Sequence, residues 1–390
     1  MRIQLPTARL PRWIALAVAV PLIAWSSRLF LDPDPAGQLA FLDAALEDGA
    51  ADRMQELFPE GELFIWSLDG LAWVELGLSA PQGSPVRGDA LEHARVALAR
   101  TDQPGARATF DRSLDPPYGV FYVGWTTLLR AGVVRLGGDD ERVRLAADVE
   151  ALQAAFDRSS TPFLVSYAGS AWPADSVVAQ AALAEATKVL APDRAPGAGR
   201  WLAEVRTRLD PATKLVPHAA FGDGPPGAAR GSSTALMLRF WPVIDSAFAV
   251  DQFARLKRHF LSSRLGFPVV FENAGGGGTG DIDSGPLVWG VSLPASAVAI
   301  GAARVNGDPG LSEALRHTAD LVGVRFRGRY LGGVLPVGDA FLAWSTTARS
   351  WEGAAAPPAS SSVSVWWRLP VTTFVLVACA GLFLVSRPSR

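Results

Sequence analysis

Residues 119–136 read GVFYVGWTTLLRAGVVRL, and after Gly137-Gly138 residues 139–158 read DDERVRLAADVEALQAAFDR. The first stretch is apolar on most faces and rich in small residues, whereas the second has one apolar stripe and a charged face. A helix that is apolar all round is buried, and one with a charged face lies at the surface. The pair therefore reads as a helical hairpin with one arm inside and one outside. The same alternation recurs along the chain. LFIWSLDGLAWVELGL (63–78), ADSVVAQAALAEATKVL (174–190) and GPLVWGVSLPASAVAIGAARV (285–305) have the buried character, and DALEHARVALAR (89–100), GRWLAEVRTRL (199–209) and DQFARLKRHFL (251–261) the amphipathic one. Breaks at Gly, Pro and Asp divide the body into twelve expected helices, at 37–46, 63–78, 89–100, 119–136, 140–158, 174–190, 197–209, 232–240, 246–262, 285–305, 311–322 and 337–350. Alternating buried and exposed helices joined by short links describe an all-α fold, an (α/α)6 toroid of six hairpins; an irregular helical bundle is the plainer alternative.

Both ends of the chain are apolar and flanked by arginine. After Arg2, Arg9 and Arg12 comes WIALAVAVPLIAW (13–25), short of the ~20 residues of a comfortable span and followed by no clean cleavage site, so it reads as an uncleaved anchor. LPVTTFVLVACAGLFLVS (369–386) carries no charge and is bounded by Trp366, Trp367 and Arg368 before it and by Arg387 and Arg390 after it, the pattern of a transmembrane helix. Counting positive flanks places both termini in the cytoplasm and the main body outside. The expected organisation is an anchor over 1–30, a toroid over 31–351, a linker rich in alanine, proline and serine over 352–365, and a membrane helix with its tail over 366–390.

The 390 residues carry 36 basic and 38 acidic side chains, a formal net charge of -2. That balance gives no basic face for nucleic acid. The single cysteine, Cys379, falls inside the terminal span, so thiol catalysis and thiolate metal sites are excluded for the body. The four histidines are dispersed and match no zinc spacing. The glycine run at 275–278 lacks the Lys-Ser/Thr pair of a phosphate loop and does not follow a convincing strand, which disfavours a nucleotide. No cofactor is expected.

The chain resembles the six-hairpin enzymes, and within them the linalool dehydratase/isomerase-like proteins. The likeness is carried by MQELFPEG (54–61), GLAWVELG (70–77), WPADSVVA (172–179), RGSS (230–233) and GDIDSGP (280–286), and spans about residues 50–345. It implies the toroid and a lyase or isomerase acting on a C–O bond. Catalysis in the linalool enzyme involves cysteines; here Ala174 and Ser176 flank Asp175, and the body has no thiol.

If alternate helices form an inner ring, their leading ends converge on one mouth. That mouth would receive Glu60, Tyr118 and Tyr122, Trp172 and Asp175, His218, Arg230, Asp281 and Asp283, and Asp339. Each residue has a structural alternative: acids at helix starts cap free amides, and aromatic side chains fill cores. The pair Asp281 and Asp283 exceeds what one cap needs, and mutual repulsion would leave one carboxyl as acid and the other as base. Asp281, Asp283, Glu60 and Asp175 are the candidate catalytic groups, with Tyr118, Tyr122, Trp172, His218, Arg230 and Asp339 for substrate binding and none for a metal. The expected partners are a small-molecule or carbohydrate substrate and the lipid bilayer, with no nucleic acid. A glycoside hydrolase, a polysaccharide lyase and a non-catalytic binding scaffold remain open on the same fold.

Overall fold

The protein is described by a computed structural model covering residues 11–167, 169–193, 197–220, 224, 226–281, 283–351 and 366–386. The expected linker at 352–365 lies outside the described residues, as do Arg2, Arg9, Arg387 and Arg390. Helices hold 66% of the structure, and the sheet has only two strands, so the fold is all-α. In chain order the helices are α1 (Arg12–Ser26), α2 (Pro35–Glu47), α3 (Ala50–Leu57), α4 (Gly61–Ser79), α5 (Pro85–Thr101), α6 (Pro104–Arg107), α7 (Gly119–Leu136), α8 (Arg142–Arg158), α9 (Pro173–Leu190), α10 (Gly199–Arg206), α11 (Gly231–Leu238), α12 (Trp241–Ile244), α13 (Ser246–His259), α14 (Leu293–Val305), α15 (Pro309–Val322), α16 (Pro336–Thr347) and α17 (Leu369–Val385). Strands β1 (Leu261–Arg264) and β2 (Phe267–Val270) pair antiparallel between α13 and α14.

Each of the twelve helices expected in the body has a counterpart, several boundaries shift by a few residues, and two of the shifts have a clear physical reason. The helix expected at 285–305 begins only at Leu293. Gly285 and Gly290 take left-handed φ angles of 60° and 80°, and Val288 bridges Val291, so residues 285–292 form turns. The helix expected at 246–262 stops at His259, because Leu261 enters β1. Leu265 and Gly266, both at positive φ, make the two-residue turn of a hairpin without the Asn-Gly or Asp-Gly signature that marks such turns in sequence.

Six helices touch in cyclic order: α4 packs on α7, α7 on α9, α9 on α11, α11 on α14, α14 on α16, and α16 returns to α4. These are the apolar segments; in α9 every residue from Pro173 to Ala186 is buried. The amphipathic helices lie outside them and bury one stripe each, Ala90, Ala94, Ala97 and Leu98 on α5 and Leu145, Leu152 and Ala155 on α8. Glycines allow the close contacts. A Cβ at Gly70 would sit 2.8 Å from side-chain atoms of Ala97 and Leu129.

The centre of this ring is filled. Trp125 of α7, Phe240 just beyond α11 and Trp344 of α16 come from alternate members, and their ring centroids stand 6.0, 5.9 and 5.8 Å apart. Phe64 of α4 adds edge contacts to Trp125 and to Phe341 of α16. Trp125 and Trp344 are fully buried. Below Trp344 the Arg239 guanidinium lies 4.4 Å from the ring and pairs with buried Glu75 at 2.7 Å.

At the N-terminal end, α1 continues through a 3-10 turn, Ser27–Phe30, so the apolar element runs from Arg12 to Phe30 rather than ending at Trp25. Its 19 residues, with mean hydropathy 1.6, make it long and apolar enough to cross a membrane, at about 28 Å of helix. The more apolar α17 is shorter, with 17 residues. The two pack side by side through Ala19, Val375 and Cys379. Arg12 and Leu16 share a cleft with Phe383 and Ser386, so the start of α1 lies beside the end of α17.

Candidate active site

Glu60 ends the tight turn that opens α4. Gly61 is required there, since a Cβ would meet the Met54 carbonyl oxygen at 2.2 Å. Gln55 staples the turn by donating to the Pro59 carbonyl at 2.5 Å and accepting the Glu62 amide at 2.9 Å. Across the mouth, the Tyr167 hydroxyl donates to the Glu60 carboxylate. The Tyr167 ring is stacked on Phe110 at 5.8 Å and lies 6.0 Å from Phe121, so the acid stands on an aromatic wall. Burial, then the Asp175 and Glu60 charges, push the phenol well above its ordinary range, and it remains a donor.

Asp175 occupies the first turn of α9 and is 4% exposed. Ser166 donates to it at 2.5 Å while accepting the Trp172 amide at 3.2 Å. Burial lifts its carboxyl well above the usual carboxylate range, and Asp283 and Glu60 add repulsion.

The next wall is the join between α11 and the end of the hairpin. The Gly231 amide donates to the Glu272 carbonyl at 2.8 Å, and a Cβ at Gly231 would lie 1.9 Å from the Phe271 carbonyl oxygen. The fully buried Glu272 side chain accepts from the Ser232 amide at 3.2 Å and its hydroxyl at 2.8 Å. A carboxylate from a distant segment thus caps α11, where the helix dipole favours negative charge.

Asp281 pairs with Arg230 and accepts the Ser284 amide at 3.0 Å, while its own amide donates to the Ser284 hydroxyl at 2.8 Å. Those contacts fix the loop and neutralise the charge. Asp283 has no such counter-ion in hydrogen-bond contact. Desolvation by burial, then repulsion from Glu60 and Glu272, raise its carboxyl to about 6 against the opposing pull of Arg230. Its side chain is nevertheless 55% exposed, so water screens these charges and keeps the group within reach of a ligand.

His218 faces both aspartates, with Nε2 3.6 Å from Asp281 and 4.0 Å from Asp283. Nδ1 lies 3.2 Å from the Ser233 hydroxyl, and Trp172 packs on the ring at 4.9 Å. Burial and then Arg230 lower its pKa to about 4, so the imidazole is neutral at ordinary pH.

The structure thus brings together Glu60, Asp175, Asp281, Asp283, His218, Arg230 and Trp172. Tyr118 and Tyr122 lie one ring further out. Tyr122 packs on Phe110 at 5.6 Å, but its hydroxyl turns to the Thr101 carbonyl and Asp102, each at 3.2 Å. Asp339 accepts the Tyr330 amide at 2.7 Å and is 2% exposed, and burial raises its carboxyl to about 7. Its partners are Tyr330 and Arg329, not the carboxylates of the mouth. Tyr167, Ser166 and Glu272 belong to the group but escape sequence reading. Only Glu272 leaves a trace, as a lone acid directly after the apolar run FPVVF (267–271).

The glycine run folds back on itself. Gly275, Gly276 and Gly278 take φ near 80°, Asn273 donates to the Thr279 carbonyl at 3.2 Å, and Gly290 fits against the Gly276 carbonyl, where a Cβ would be 2.2 Å away. Among the described residues, no group of three or more His, Cys, Asp or Glu side chains is placed to hold a metal ion. The chain matches no protein-family model and no curated protein sequence.

Proposed function

We propose that the ring of six inner helices and its amphipathic jacket form an (α/α)6 toroid of the linalool dehydratase/isomerase-like kind, tethered by α1 and α17 with its main domain on the extracytoplasmic side. We propose further that it is an enzyme acting on a C–O bond by acid/base catalysis. The cyclic order of helix contacts supports the toroid. The antiparallel pairing of α1 with α17 supports two membrane passes with both chain ends on one side.

One observation carries the chemistry. Asp283, raised to about 6 and open to the mouth, faces a group that also contains Glu60, held by the hydroxyl of Tyr167. In a dehydration, protonated Asp283 gives its proton to the departing hydroxyl as the C–O bond breaks and water leaves. Glu60 then takes the proton from the neighbouring carbon, and the C–H electrons become the new double bond. Neutral His218 and the Arg230–Asp281 pair shape the wall beside Asp283, and buried Asp175 holds Ser166 and Trp172 in place. The aromatic wall of Phe110, Phe121 and Tyr167 suits an apolar substrate that passes through a cationic transition state.

A carbohydrate reading keeps one specific support. Trp289, on the loop that packs against the glycine run, is 71% exposed and presents an open indole face on which a sugar ring would stack.

The test is turnover of the full chain in lipid nanodiscs on a panel of tertiary allylic alcohols and acidic or neutral oligosaccharides. Asp283→Asn and Glu60→Gln should each lower kcat/KM by about 10²-fold or more, the usual share of a general acid or base, with unchanged helical circular dichroism. The wild-type rate should fall as pH rises through about 6, because the acid loses its proton there. Both variants retaining full turnover would remove the catalytic assignment, and tight binding without turnover would favour the scaffold.

A further inference from the structure

Exposed apolar side chains gather where the two terminal helices meet the domain. Phe30 ends the 3-10 turn after α1 and is 58% exposed; Leu265, at the hairpin tip, is 79% exposed; Val324 and Phe326, just after α15, are 42% and 55% exposed. Contacts tie all four to the ends of the apolar helices. The Arg368 guanidinium, at the start of α17, lies 5.5 Å from the Phe30 ring. Gly266, next to Leu265, faces Pro370, where a Cβ would make ordinary van der Waals contact with its Cγ at 3.5 Å. Arg325, between Val324 and Phe326, accepts at its carbonyl from Arg28 Nε at 3.0 Å.

Two further observations point outward to a ligand surface. Leu265 and Val324 hold left-handed φ angles of 52° and 50°, a conformation unfavourable for bulky and especially β-branched side chains. The strain is not offset by burial, since both side chains face away from the core. Arg327 and Arg329 are exposed beside Phe326, and the Arg327 guanidinium lies 5.2 Å over its ring. Aromatic, aliphatic and basic side chains mixed at the mouth of an apolar helix pair are the composition of a membrane interface.

The join is rigid. His317 Nδ1 meets the Arg28 carbonyl at 3.0 Å, Arg316 donates to the Leu31 carbonyl at 3.0 Å, and Arg325 donates to the Asp32 carbonyl at 2.7 Å. Trp25 of α1 donates back to the Leu321 carbonyl at 3.1 Å. The domain cannot swing about this connection without breaking these part-buried hydrogen bonds.

The geometry points to a lipid-seating collar: Phe30, Leu265, Val324 and Phe326, with Arg327 and Arg329, rest in the headgroup layer of the bilayer that α1 and α17 enter. This rests on the membrane tether proposed above and adds the orientation of the domain on it. From the hairpin tip, β2 and its continuation reach Glu272 in six residues, about 20 Å of extended chain. The carboxylate group therefore lies within about 20 Å of the collar, and the substrate class we infer is an amphiphile drawn from the lipid surface.

The experiment uses the full chain in nanodiscs, with Cys379→Ala as background. Single cysteines at Leu265, Phe326, Val143, Val250 and Leu376 (Leu265→Cys and its equivalents) carry an environment-sensitive fluorophore, and the quenchers are lipids brominated either near the glycerol end of the acyl chains, the depth read by 265 and 326, or further along the chains, the depth read by 376. Loss of emission at 265 and 326, with none at the exposed controls 143 and 250 on α8 and α13, is the expected result. Quenching at 376 without quenching at 265 and 326 overturns the collar and leaves the tether standing. No quenching at 376 overturns the tether and the collar with it. Protection of 265 and 326 that depends on protein concentration rather than on lipid would assign the surface to a second copy and likewise overturn the proposal.

Discussion

Asp339 and His218 are buried groups whose neutral forms the fold prefers, and their pH dependences have opposite signs. Burial raises the Asp339 carboxyl from 3.8 to about 7, so the folded chain binds its proton more tightly than the unfolded one. Its contribution is complete below about pH 4 and is lost as pH rises through 7, with a span of about 4 kcal/mol. His218 falls from 6.5 to about 4; the unfolded chain binds that proton more readily, and stability declines as pH falls from 6.5 towards 4. Asp339→Asn keeps an oxygen for the Tyr330 amide and removes the ionisation. It should raise the melting temperature at pH 8 and change it little at pH 4.5; an equal change at both would show that Asp339 is not held neutral. The acids of the mouth were legible because Asp281 and Asp283 stand two apart beside a glycine run, and because Glu60 lies in a Phe-Pro-Glu-Gly turn. Tyr167, Ser166 and Glu272 were not legible. A tyrosine among apolar residues has no local signature of its hydroxyl's partner, and Glu272 caps a helix that lies 40 residues earlier in sequence.

At the level of elements, the alternation of wholly apolar with amphipathic segments located twelve of the fifteen described helices of the body, because the pattern follows directly from which faces are buried; it missed the short α3, α6 and α12, which are too brief to show a period. What the pattern could not show was where an apolar run stops being helical. The stretch 285–292 is as apolar as the helix after it, but Gly285 and Gly290 allow left-handed turns that a period count does not register. The hairpin tip is hidden for a related reason, since Leu265 takes a conformation its residue type disfavours. The α11 start depends on one missing side chain. Gly231→Ala would drive a methyl group into the Phe271 carbonyl, separate α11 from β2 and loosen the Ser232–Glu272 bonds. A destabilisation of about 2 kcal/mol or more is expected in denaturant titration, together with a weakened site. A variant as stable as the wild type would mean that the close approach of these two backbones is not essential.

Across the whole molecule, the ring of six helices is held at its axis by Trp125, Phe240 and Trp344, three residues from alternate members. None of them is distinguishable from ordinary core aromatics in sequence; only the closure of the ring makes them neighbours. Trp125→Ala would remove the contacts with Phe64, Phe240 and Trp344 together, and a loss of about 3–5 kcal/mol is expected from equilibrium unfolding. A loss below about 1 kcal/mol would show that the axis is supported elsewhere. Because these rings meet at the axis and the Arg239–Glu75 pair lies behind them, the ring of helices is closed at its centre. On the proposed enzymatic reading, reactant and product would share one doorway, one leaving before the next could arrive, so that product would compete with substrate.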